Sequence, residues 1–95
     1  MPNHGFEWDD EKDLVNQDKH GVSFLEATKA FEDHDRLVLL DKRHSKRNEK
    51  RYFCIGRVRR GILTVRFTYR NGKIRIFGAG FWREGKTQYE FRTKK

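Results

Sequence analysis

Hydrophobic positions change their period partway along the chain. Over the first third they are sparse and follow helical spacing. From Arg36 onward they alternate with polar residues, the period of a strand. Phe6 and Trp8 flank Glu7 and predict a short first strand. Asp9 then suits the N-cap of a helix running to about Lys19, with Asp10 and Glu11 complementing the positive end of its dipole. Leu14 and Val15, followed by Gln17 and Asp18, give it only a thin apolar stripe, so few packing contacts are expected. Gly21, after His20, is placed for the left-handed conformation that closes helices. Ser23 and Glu26 have capping-box spacing and open a second helix. Its apolar face is Phe24, Ala27, Ala30 and Phe31, and it should end near Asp33.

Four strands should follow: Arg36–Asp41, Glu49–Val58, Gly61–Arg70 and Lys73–Ala79. Residues 43–48 are polar and basic and predict a loop, while Asn71-Gly72 is a strong two-residue hairpin turn. A C-terminal helix over Phe81–Phe91 is possible, weakened by Gly85. The expected class is α+β: an antiparallel sheet with two N-terminal helices packed on one face and a possible C-terminal helix. No repeat or Pro/Gly/Ser linker interrupts residues 1–95, so a single domain is expected.

Composition narrows the function. A chain of 95 residues has a small core and excludes a large enzyme with a deep cofactor cleft. No apolar run approaches the roughly 20 residues of a membrane span. The opening MPNHGFEWDD lacks the basic and apolar regions of a signal peptide, and none is expected. One cysteine, Cys54, excludes an internal disulfide and a cysteine zinc cluster, and fits a reducing cytoplasm. The four histidines have no metal-site spacing, so neither metal nor other cofactor is expected; His4 and His34 suggest no partner. The net charge is +8, unevenly spread. Residues 1–35 hold ten acids and three bases, −7; residues 36–95 hold four acids and 19 bases, +15. Such asymmetry points to a polyanion partner for the strand-rich part.

The hairpin turn fixes a register. It sets Arg70 opposite Lys73, Thr68 opposite Arg75 and Arg66 opposite Phe77, all on one side of the sheet. Leu63, Val65, Phe67, Tyr69, Ile74 and Ile76 fall on the other side, which the two helices must cover. The first side then exposes four cations. Opposed cations destabilise a sheet, so an anion is expected there, although an ordinary wet face is the simpler reading. Arginine at three of the four positions favours phosphate, since a guanidinium grips two oxygens at once.

Cleaving RNA without metal requires a base for the 2′-OH proton, an acid for the leaving 5′-oxygen, and cations for the charged phosphorane. Glu49 and His44 are candidates for proton transfer, and Arg51, Arg66 and Arg75 for phosphate stabilisation. Glu49 beside arginines is more often a structural ion pair, and His44, in a basic loop with Lys42, Arg43, Lys46 and Arg47, is more often simply solvated. His20, between Lys19 and Gly21, either favours a helix end or faces substrate. A DNA-reading protein is a weaker possibility, because the bases lie on strands and loops rather than on a recognition helix.

Phe6-Glu7-Trp8-Asp9, Lys12, Asn16 and Lys19-His20-Gly21-Val22, followed by Phe24, Ala27, Phe31 and Asp33, resemble the BrnT family of bacterial toxins. Asp41, His44, Glu49-Lys50-Arg51, Gly56, Thr68, Arg70 and Ile74-Arg75-Ile76 continue the resemblance, which spans roughly residues 6–80. It implies a RelE-like ribonuclease that blocks translation by cutting RNA. It also implies a cognate antitoxin of ribbon-helix-helix type that binds and silences the toxin, in a homodimeric or heterotetrameric assembly. By resemblance the catalytic positions are His20, Glu49, Arg51, Arg70 and Arg75. Lys19, His44, Arg66, Lys73, Arg83 and Lys86 are the expected substrate-binding residues. Where the family usually reads Ser-Ala-Arg, this chain has Gly78-Ala79-Gly80. Either Arg83 or Lys86 supplies the missing cation, or catalysis is weakened to leave an RNA- or antitoxin-binding module. Loss of one phosphate-stabilising donor costs about 3 kcal/mol.

Overall fold

The computed structural model describes residues 5–94, so His4 lies outside the described residues. Five strands form one sheet in the order β1-β5-β4-β3-β2. They are β1 (Phe6–Glu7), β2 (Leu37–Leu40), β3 (Arg51–Val58), β4 (Gly61–Arg70) and β5 (Lys73–Gly80). Strands β2 to β5 are an antiparallel meander, and β1 joins the outer edge of β5 in parallel. The α+β class stands, with a parallel edge strand added to it.

Helix α1 (Asp10–His20) begins where Asp9 accepts hydrogen bonds from the Glu11 and Lys12 amides, at 2.8 and 3.2 Å. It ends at Gly21, whose φ of 67° lies in the left-handed region. Helix α2 (Phe24–Ala27) continues as a 3-10 segment, Thr28–Glu32. Ser23 Oγ caps it through the Glu26 amide at 3.0 Å. Only half of the predicted capping box forms, because the Glu26 carboxylate grips Arg60, at 2.6 and 2.8 Å.

Val22, Phe24, Ala27 and Ala30 pack on Cys54, Leu63, Val65, Phe67, Ile76 and Ala79. Burial of each large side chain stabilises the fold by about 1.5–3 kcal/mol. Gly56 allows this approach, since a Cβ there would collide with the Ala30 carbonyl. Cys54 is fully buried, and burial pushes its thiol pKa up to about 12. Tyr69 departs from expectation. It lies on the core side yet is 56% exposed, beyond the buried cluster and edge-on to Tyr52 and Phe67.

Two further expectations change. The far side of the sheet is not wholly wet, because helix α3 (Arg83–Thr93) covers part of it. Ile55, Ile62 and Tyr89 are buried there against Leu37, Leu39 and Phe53. Gly85 does not weaken α3 so much as seat it: a Cβ there would collide with Thr64 Oγ1, itself buried without a hydrogen-bond partner. Tyr89 Oη then donates to Asp33. The hairpin register also slips. Arg70↔Lys73 and Thr68↔Arg75 hold, but Arg66 pairs with Gly78, and Phe77 is the extra residue of a bulge.

Asn16 is the buried residue of α1. Its amide donates to the Val22 and Ala79 carbonyls, both at 2.9 Å, and accepts from the Ala79 amide at 3.2 Å. One side chain thus ties α1 to the edge of β5 where β1 has ended. No helix among the described residues is long and apolar enough to cross a membrane.

Candidate RNA-facing cleft

Because Asn16 docks α1 on β5, the polar flank of α1 overhangs the far side of the sheet. The result is an open cleft of about 390 Å³. Lys12, Lys19 and His20 of α1 face Arg66, Phe77 and Gly78 of the hairpin across it, with Trp82 at one end and Asp9 and Glu11 on the rim. His20 is exposed, and its ring meets Trp82 edge-on with centroids 5.3 Å apart. Arg66 is half-buried and makes no ion pair among the described residues. The bulge turns Phe77 into the cleft, where the Arg51 guanidinium lies 4.2 Å from its ring centroid and Lys12 Nζ 5.8 Å.

Glu49 and Arg70 line a neighbouring depression at the hairpin end. Glu49 Oε2 accepts from Arg70 at 2.8 Å, and Oε1 from Arg51 Nε and Nη2, at 3.3 and 3.2 Å. The Arg70 hydrogen bond holds the Glu49 carboxyl below its ordinary pKa; burial opposes this and Arg51 reinforces it. Glu49 is therefore a poor proton acceptor and a good brace for two guanidiniums. Arg75 is paired with Glu7 of β1 at 3.2 Å. Lys73 is exposed beside the turn.

The remaining predicted residues lie apart from the cleft. His44 Nδ1 contacts the buried Asp41 carboxylate at 2.9 Å, and its amide bonds the same group, so it shapes the β2–β3 loop. Arg83 and Lys86 sit in the first turn of α3 and line a separate depression with Ile62, Phe81 and Glu90. They do not fill the place at Gly80. Trp82 does: a Cβ on Gly80 would lie 2.5 Å from Trp82 Cε2. Among the described residues no group of three or more His, Cys, Asp or Glu is placed to hold a metal.

Sequence reasoning missed Phe77, Trp82 and Lys12 as cleft residues. One signal was present: Ile76-Phe77-Gly78 breaks the alternation of β5 and ends in glycine, the mark of a bulge.

The fold and cleft together define a small basic α+β protein with histidine, lysine and arginine side chains gathered in one open cleft. The family model described as the ribonuclease toxin, BrnT, of type II toxin-antitoxin systems matches residues 8–85. The chain belongs to this family. No curated protein matches it.

Proposed function

We propose that this chain is a metal-independent endoribonuclease toxin that blocks translation by cutting RNA in the cleft between α1 and the β4–β5 hairpin. The observation that carries the reading is the convergence of His20, Lys12 and Lys19 on the unpaired Arg66. In this mechanism the RNA 2′-oxygen attacks its own phosphorus and the 5′-oxygen leaves. His20 exchanges the proton at one of those oxygens, and solvent water, which the open cleft admits, exchanges it at the other. Arg66 neutralises the phosphorane, and Arg51, braced by Glu49 and stacked on Phe77, backs it from β3. Arg70 shares the Glu49 brace, and Arg75 holds β1 through Glu7.

The test is incubation of the purified protein with RNA in EDTA. Cleavage leaving 2′,3′-cyclic phosphate ends, lost in His20→Ala, is the expected result. Intact RNA at every protein concentration overturns it. A specific observation favours a second reading, a binding module that no longer cuts: the Trp82 indole fills the space a side chain at residue 80 would enter, and Glu49 is occupied by two arginines. RNA retention on a filter without cleavage supports that one.

Family membership supports a partner antitoxin and, with it, action in the cytoplasm on the cell's own translation. The antitoxin is of ribbon-helix-helix type and covers the basic face with acidic or aromatic side chains. Arg70→Ala with Lys73→Ala should weaken the complex; unchanged affinity excludes this docking mode.

A further inference from the structure

Of the two aromatic rings in the cleft, Trp82 has no part in the chemistry above and Phe77 serves there only as a support for Arg51. Phe77 and Trp82 both line it, and β5 runs between them as Gly78-Ala79-Gly80. Ala79 is buried in the core on the other side, so the strip of floor facing the cleft is glycine. At Gly80 packing explains the bareness, because the Trp82 indole already occupies the space. At Gly78 it does not. A Cβ there would meet Asn16 Oδ1 at 3.6 Å and Arg66 Cδ at 3.8 Å, ordinary contact distances, and its φ lies outside the left-handed region. The missing side chain at Gly78 leaves room beside the two rings rather than relieving a clash.

The charge of the cleft argues in the same direction. Asp9 and Glu11 share its rim with Lys12 and Lys19, so it is not a continuous cationic track for a phosphate backbone. Its volume of about 390 Å³ is in the range of a small-ligand site and has room for one nucleotide. Flat rings beside one free guanidinium suit an unpaired nucleotide, with its base against the rings and its phosphate on Arg66.

We infer that Trp82 and Phe77, with the bare floor at Gly78, form a stacking slot for one unpaired nucleobase, so that the substrate is single-stranded RNA. This rests on the cleft being the RNA site and adds which part of the RNA it holds.

The test uses the Trp8→Phe variant, which leaves Trp82 as the sole indole and keeps an aromatic ring against Phe24. A short 2′-O-methyl oligonucleotide, which cannot be cleaved, is titrated by polarisation and by indole fluorescence beside an abasic strand of equal length. The base-bearing strand should quench Trp82 and bind about tenfold or more tightly than the abasic one. Gly78→Ala, introduced into the same variant, should bring the two strands close to equal affinity without lowering its melting temperature. Equal affinity for both strands, or tight binding without quenching, overturns the slot and leaves the cleft reading standing. Binding of neither strand overturns both.

Discussion

On one side of the sheet, Phe24, Leu63, Val65, Phe67 and Ile76 meet as a continuous apolar layer. On the other, Glu49 braces Arg51 and Arg70, Arg51 lies over Phe77, and α3 is seated by a glycine and a tyrosine. The first side is held by filled volume, apart from Gly56, where the Ala30 carbonyl leaves no room for a Cβ. The second depends on individual atoms: one missing Cβ, one carboxylate, one bulge. In the proposed function recognition falls to the second side and stability mainly to the first, so substitutions on the two sides should fail in different assays.

The largest effect is expected from Phe67→Ala. Phe67 is fully buried and packs against Phe31, Tyr52 and Tyr69, so its loss should cost about 3–5 kcal/mol in a urea titration. That is a large share of the total stability of such a domain. Next comes Arg66→Ala, which should lower RNA cleavage about 100-fold with the melting temperature nearly unchanged. An equal loss of stability would mean that the two sides are not separable. Gly85→Ala should cost about 1–3 kcal/mol, because the new methyl meets Thr64 and lifts α3. A neutral result would show that α3 shifts freely over the sheet.

The smallest effect is that of Glu49→Gln, expected at about 1 kcal/mol or less, since its partners are 30% and 41% exposed. Its signature is in the pH dependence. A carboxylate whose pKa is lowered on folding stabilises fully above its unfolded value, and that stability is lost as pH falls through the folded one. Glu49→Gln should therefore lower stability slightly at neutral pH, and its difference from the parent should vanish as pH falls below the ordinary glutamate range. Acid melts of the two proteins that run parallel would exclude this role.

The apolar side was legible because period alone specifies it. Alternation in β4, helical spacing at Phe24, Ala27 and Ala30, and the Asp9 and Gly21 caps all appear in the structure. The Asn-Gly turn also gave the register as far as Thr68 and Arg75. The charged side was harder to read. A bulge shifts Arg66 by one residue, and nothing in residue types alone distinguishes a paired guanidinium from a free one. His20 and Arg66 were placed together only through Asn16, a polar residue in a helix whose apolar residues Leu14 and Val15 turn out to be exposed. The position of Arg83 and Lys86 followed from where α3 docks, and that depends on a glycine contact no local pattern records.

The tie between Asn16 and Ala79 has a consequence for how copies of this chain can associate. A strand edge with open amides and carbonyls recruits further strands, and a sheet with two open edges can grow without limit. Here one border is closed by the two-residue β1 and by a side-chain amide that occupies Ala79 on both its donor and its acceptor. Among the described residues β2, with Val38 and Leu40 exposed, offers the longer open border for a neighbouring strand. A single carboxamide thus makes the two borders of the sheet unequal in what they can recruit.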